Sequence, residues 1–172
     1  MGITDAILLI LLGALTGGLL TYQFSKYRLS RENLIPPKER LRRELHEVAK
    51  HVETSFHLSM KFWELLAARS RKLKQDVALT HEEDSRLLIA RSALLDAMNV
   101  HPTDEMELRL VGEQEILALF REYAQRLFKF YASAHTGKYA PPVAELEKIR
   151  LDLIAARESL FKKLSTTYQH LH

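Results

Sequence analysis

Two histidines and a glutamate lie close together in His46-Glu47-Val48-Ala49-Lys50-His51. The zinc-hydrolase pattern H-E-x-x-H needs its histidines at i and i+4, on one helix face, with the glutamate as general base. Here they stand at i and i+5, which turns them about 140° apart around a helix. A di-iron centre in a bundle needs inward Glu-x-x-His pairs on two helices. Glu47/His51 and Glu53/His57 are spaced at i+4 instead. They are expected to be surface pairs worth a few tenths of a kcal/mol. A share for His51 or His57 in a metal site stays open as the lesser alternative. The chain has no cysteine, so thiolate chemistry, disulfides and cysteine-ligated zinc are excluded. It has no Walker loop, dinucleotide fingerprint or G-x-S-x-G, and the sole adjacent glycine pair is Gly17-Gly18. The expectation is a protein that is not an enzyme, with no cofactor and no resident metal.

The elements that would position these residues are helices. No alternating strand pattern occurs, and glycine and proline cluster at a few breaks. Asn33 to Pro37 predicts a hinge, because a residue before proline avoids the α region. From Lys38 the apolar residues fall at Leu41, Leu45, Val48, Val52, Phe56 (or Ser55), Ser59, Trp63 and Leu66, the spacing of one buried helical stripe. Phe62 and Trp63 point about 100° apart, so one of them is expected to leave the core. Thr80 with Glu83 has the form of a capping box, which makes residues 76–80 the place for a break in a helix that otherwise runs over 38–98. A second stretch, 81–98, carries Leu87, Leu88, Leu94, Leu95 and Met98. Asn99 to Thr103 predicts another break, with Thr103 as N-cap and Asp104 and Glu105 in the first turn. A long helix over about 104–132 would bury Met106, Leu110, Leu117, Phe120, Ala124, Leu127 and Tyr131. Phe120, Tyr123, Phe128, Phe130 and Tyr131 wrap around that helix, which fits one buried on most sides. After a turn-rich loop, 132–142, a last helix over 143–170 would bury Leu146, Ile149, Leu153, Ala156, Leu160 and Leu164. Short loops make successive helices antiparallel neighbours.

Residues 6–24 are a different kind of segment. They contain no charge and, at about 1.5 Å per residue, are long enough to cross a hydrocarbon core of roughly 30 Å. A secretory leader would want a basic start, a shorter apolar core and a small-residue cleavage site. This segment follows Asp5 and has no A-x-A after it. A membrane anchor is therefore expected. Tyr22, Phe24 and Tyr27 stand where an aromatic belt would lie. Gly13, Ala14, Gly17 and Gly18 form small-x-x-x-small pairs that would let two spans pack closely. Glycine is also common in spans, and that plainer account is preferred.

Charge gives the orientation. Residues 1–25 carry a net −1, whereas residues 26–75 hold 13 Lys and Arg against 6 Asp and Glu, a net +7. Residues 76–100 carry −3, and 101–172 balance at zero. Lys and Arg beside a span are retained on the cytoplasmic side, so the amino terminus is expected outside and the bundle inside. Lys26, Arg28, Arg31, Lys38, Arg40, Arg42 and Arg43 are candidates for contact with anionic headgroups. Topology does not explain Arg69, Arg71, Lys72 and Lys74, which form a candidate partner surface. Nucleic acid is not an expected partner: the excess is small and no basic-aromatic sheet motif occurs.

Four stretches carry a resemblance to the LemA family. Asn33-Leu34-Ile35-Pro36 is similar to that family's D-L-I-P, and Ala49-Lys50-His51 resembles a segment downstream of it. Leu117 to Tyr123 resembles its L-x-x-L-x-x-x-x-E-x-Y-P. Leu146 to Tyr168, centred on Ala156-Arg157, is similar to its last helix, although Leu160-Phe161 stands where the family has Tyr-Asn. The resemblance implies an amino-terminal span followed by long cytoplasmic helices, with no enzyme chemistry.

The expected architecture is all-α. A single transmembrane helix (1–25) and a basic juxtamembrane linker (26–37) precede a cytoplasmic antiparallel bundle of three to four long helices (38–172). The expected function is a non-enzymatic scaffold or adaptor at the inner leaflet of a bacterial-type inner membrane. Its partners would be anionic lipid, an unidentified protein and, in one version, a second copy of itself. The alternative is a tethered sensory bundle that holds a ligand or metal between its helices.

Overall fold

Pro37 opens the first helix, a position where its missing N–H has no partner to lose. The computed structural model of the chain describes residues 36–134 and 141–171. The chain divides into two compact units, residues 1–40 and 41–172. Of the first unit, only the start of the opening helix is described. The described residues form five helices and no strand: α1 (Pro37–Lys74), α2 (His81–Met98), α3 (His101–Leu110), α4 (Gln114–Ser133) and α5 (Val143–Gln169). The fold class is all-α, a helical bundle. Among the described residues no helix is long and apolar enough to cross a membrane. The span expected at 6–24, with Gly13, Ala14, Gly17 and Gly18, lies outside them.

α1 ends where a break was expected. Asp76 takes a positive φ of 58°, a conformation that Asp tolerates better than most residues. Val77 N–H bonds Lys72 O at 3.0 Å, and Asp76 N–H bonds Leu73 O at 3.2 Å. These are the two bonds of a Schellman end. α2 then starts on the capping box read from the sequence. Glu83 N–H donates to the Thr80 hydroxyl, and Thr80 N–H donates to the Glu83 carboxylate.

The next boundary differs from expectation. The N-cap of α3 is Val100, not Thr103, and Pro102 falls in the first turn of the helix. Proline suits that turn because its φ is already helical and its N–H is not needed. Starting the helix there turns Asp104 inward, where it is fully buried. The long helix expected over 104–132 is also two helices. Val111–Glu113 interrupts it, and Gly112 adopts a φ of 80°, which glycine reaches without steric cost.

One hydrophobic cluster joins all five helices. α1 contributes Leu45, Val48, Val52, Phe62 and Leu66, with Ser55 and Ser59 on the same stripe. Phe62 is the fully buried member of the Phe62–Trp63 pair, and Ser55 takes the core position rather than Phe56. Trp63 lies at the edge, where its indole N–H donates to Leu146 O at 3.0 Å. α4 contributes Ile116, Leu117, Phe120, Tyr123, Leu127 and Phe130, and α5 contributes Leu146, Leu153, Ala156, Leu160 and Leu164. Met106 and Leu110 of α3 were expected in the core and are exposed instead, and Leu88 and Leu95 of α2 are exposed as well. Splitting the helix at Gly112 rotates α3 so that Leu108 alone faces the cluster.

Candidate functional site

The short helix α3 is held by side chains rather than by apolar bulk. Its inner face is His101, Asp104 and Leu108, the i, i+3, i+7 positions of one face. Asp104 Oδ1 lies 2.7 Å from His51 Nδ1 of α1. One turn back, His101 Nε2 lies 3.2 Å from Ser55 Oγ, and Ser55 Oγ lies 2.9 Å from Tyr123 Oη of α4. Ser55 Oγ donates to Val52 O at 3.0 Å, and Val52 O also lies 3.2 Å from Tyr123 Oη. Protons close around this set when His101 is neutral and protonated on Nε2. Ser55 then accepts from both His101 and Tyr123 while donating to Val52 O. Three helices are thus stitched by one serine hydroxyl.

The electrostatics follow from burial. The His101 ring packs edge-on against Phe120, with centroids 5.4 Å apart. Its pKa falls to about 4, first through desolvation and then through nearby His51. Burial raises the Asp104 carboxyl above its usual range, and the His51 bond offsets part of that rise. Asp104 Oδ2 has no hydrogen-bond partner. Glu107, next along α3, is also raised, by burial and by the carboxylates of Glu44 and Asp104. Burial raises the Tyr123 phenol as well. This array has no accessible nucleophile, since Ser55 and Tyr123 are completely enclosed. Among the described residues no three His, Asp or Glu side chains are placed to share a metal ion.

Beside the seam lies a groove of about 500 Å³ between α3 and α4, lined also by Met98 of α2. Phe120 and Ala124 line it together with His101, and Pro102 and Phe128 also face it. Phe128 is 63% exposed. Glu105 and Arg121 are the charged residues of the lining. Glu105 Oε1 accepts from Arg121 Nε at 2.9 Å and Nη2 at 2.7 Å, and from Arg109 Nη2 at 3.1 Å. Arg121 and Arg109 accordingly hold the Glu105 carboxyl below its usual range.

Most of the residues singled out in the sequence lie elsewhere. Neither Glu47/His51 nor Glu53/His57 forms a pair. His51 turns to Asp104, Glu53 binds Arg157, Glu47 lies 3.5 Å from Lys50, and His57 is exposed. Of the basic residues proposed for lipid, Lys26, Arg28 and Arg31 lie outside the described residues. Lys38 is exposed and Arg40 half-buried. Arg42 donates to Tyr168 Oη at 2.7 Å and lies over that ring, and Arg43 pairs with Glu44. In the second cluster, Lys72 binds Glu83 and Arg69 reaches Asp84 at 4.0 Å. Arg71 and Lys74 remain exposed. Sequence reasoning missed the role of Asp104, His101, Ser55 and Tyr123. The signal was the placement of Pro102 in the chain, which sets the start of α3.

α2 presents a second feature. Leu87, Ala90 and Leu94 face the core, yet Leu88, Ile89 and Leu95 are 63%, 69% and 41% exposed. Leu88, Ser92 and Leu95 share one helical face at i, i+4 and i+7, with Ile89 beside them. The helix is apolar on its outer side as well as its inner side. Compared with protein-family models, curated proteins and solved structures, the chain matches none of them.

Proposed function

We propose that this chain is a membrane-tethered helical-bundle adaptor. Residues 6–24 span the bilayer with the amino terminus outside, and Lys26 to Arg43 face anionic headgroups. The antiparallel helices then recruit a protein partner at the inner leaflet, in the manner the LemA resemblance implies. The observation that supports recruitment is the outer face of α2. Leu88, Ile89 and Leu95 form an exposed apolar ridge interrupted by the small Ser92. Such a ridge is the feature an amphipathic partner covers. Arg71 and Lys74, exposed at the end of α1, carry charge at the bundle surface for the same partner.

The test is recruitment from intact membranes by the wild-type chain and by Leu88→Glu/Ile89→Glu. The double variant is expected to keep its helical content and melting temperature and to lose the partners that the wild type captures. Equal capture by both chains ends the recruitment reading. Thiol labelling of Gly2→Cys and Ser165→Cys, in this cysteine-free chain, checks the topology in the same cells. Only position 2 is expected to react with an impermeant reagent. Labelling of position 165 alone would place the bundle outside.

A second reading, a bundle that binds a small ligand, has its own observation in the groove between α3 and α4. The groove contains His101 and neither His51 nor His57, so a metal is not part of that reading.

A further inference from the structure

The lining of the α3–α4 groove is divided by chemistry. Its walls, Met98, Pro102, Phe120, Ala124 and Phe128, carry no polar side-chain group that forms hydrogen bonds strongly. Its volume, about 500 Å³, lies in the range of small-molecule sites. His101, the buried titratable residue of the lining, is uncharged at neutral pH, because burial lowers its pKa to about 4. The charge sits at the rim and does not cancel. Glu105 is one carboxylate shared by two guanidiniums, Arg109 and Arg121, so one positive charge is left over. Arg121 lines the groove and Arg109 does not. Arg109 is the i+4 helix partner of Glu105 and can keep it when Arg121 turns to another anion. Gln125 follows Arg121 by one turn on the same wall and adds an amide donor. The exposed Phe128 ring is the part of the wall that an apolar body would cover.

We infer that this groove binds a small amphipathic carboxylic acid, with its apolar body against Phe120, Ala124 and Phe128 and its carboxylate on the Arg121 guanidinium. The inference deepens the ligand-binding reading and rests on it. An amine of the same shape meets the surplus positive charge at the rim and is rejected. An alcohol keeps the apolar contacts and loses the ionic one.

The test is methyl NMR on the full chain in lipid nanodiscs, with 13C in the methionine methyls. Met98 lines the groove, while Met60 packs against the core and serves as the internal control. The probes are 4-phenylbutyrate, 4-phenylbutanol and 4-phenylbutylamine. 4-Phenylbutyrate is expected to shift Met98 saturably and to leave Met60 in place. Its Kd should be about fivefold lower than that of the alcohol, the upper end of what one exposed ion pair contributes. Arg121→Gln should bring the acid to the affinity of the alcohol. Ala124→Trp should fill the groove and abolish the Met98 shift while Met60 stays unchanged. If the acid binds no tighter than the alcohol, or the amine binds tightest, the carboxylate assignment is overturned while the ligand-binding reading survives. If none of the three shifts Met98, both fall.

Discussion

The seam between α4 and α5 and the seam between α1 and α3 bury residues at the same helical spacing, yet they are closed by different chemistry. α4 buries Leu117, Phe120, Leu127 and Phe130, and α5 buries Leu146, Leu153, Ala156, Leu160 and Leu164, in one apolar core. Between α1 and α3 the side chains are polar: Ser55, His101 and Asp104, which are buried, and His51, which is half-buried. An apolar seam gains from area and tolerates sliding by small shifts. A polar seam gains little net energy per bond but loses heavily when a bond is missing. The comparison teaches that the long helices supply stability, while the hydrogen bonds fix where the short helix α3 sits. Because α3 forms one wall of the groove, its register also sets the shape of the groove.

The sharpest way to break the comparison is to truncate each side and compare the losses. Leu127 of α4 is fully enclosed. Leu127→Ala removes apolar contact and leaves a void, at an expected cost of about 3 kcal/mol. Urea unfolding should show this as a lower midpoint with an unchanged slope. A loss under about 1 kcal/mol would mean that the α4–α5 seam is not where stability is concentrated.

Next in size is the pH response between pH 7 and 5, in which the polar seam holds the largest single contributor, His101. His101 has a lowered pKa, so the unfolded chain binds its proton more readily than the folded one. Stability is therefore full above the unfolded value of 6.5 and falls as the pH drops toward about 4. The loss over that window is at most about 3 kcal/mol at 1.36 kcal/mol per unit. Asp104 acts in the opposite direction. Its raised pKa means that its buried charge costs stability at neutral pH, and protonation relieves this as the pH falls through the folded value. The two effects oppose each other, so the net loss is smaller than His101 alone would give. Urea midpoints at pH 7 and 5 should separate for the wild type. In His101→Phe they should lie closer together, and an unchanged separation would move the pH response away from this residue.

Ser55→Ala is a smaller and more local break. It removes the hydroxyl that accepts from His101 and Tyr123. Tyr123 keeps Val52 O as an alternative acceptor, so His101 alone is left short. The expected cost is about 1 to 2 kcal/mol, and the environment of the Met98 methyl in the groove lining should change with it. A loss of stability without any Met98 shift would separate the seam from the groove.

How much of this was legible in the sequence depended on which physical signal dominated. The α5 stripe was read almost residue for residue, because a 3.6-residue period in leucine and alanine survives any plausible choice of helix ends. The end of α1 and the cap of α2 were legible for the same local reason, since Thr80 and Glu83 satisfy each other's backbone. The polar seam was not legible. Its members are 46 to 68 residues apart in the chain, and nothing local pairs Ser55 with Tyr123. The start of α3 was misread because Thr103 is a good cap and competes with Pro102 for the boundary. The error moved Asp104 from a fully buried position to a solvated first turn. The outer apolar face of α2 was not legible, because periodicity marks apolar residues and does not say which side has a neighbour.

Gly112 carries the smallest effect and settles whether the break between α3 and α4 is imposed by glycine or by packing. A single glycine within a helical pattern is tolerated at about 1 kcal/mol, which is why the helix over 104–132 read as continuous. In the structure Gly112 adopts a φ of 80°, and a Cβ there would meet nothing within 4 Å. Gly112→Ala therefore creates no clash, and its cost is backbone strain alone, about 1 kcal/mol. In a chain of this size that corresponds to a fall in melting temperature of about 2–4 °C. If packing holds the break, with His101 and Asp104 pinned to α1, the variant pays this strain and keeps the His51–Asp104 bond. If glycine imposes it, alanine lets α3 run on into α4 and carries Asp104 off its partner. The His51 ring resonance at neutral pH distinguishes the two: it is expected to stay in place, and a move to the position seen in Asp104→Asn would show that one residue sets the register of the whole seam.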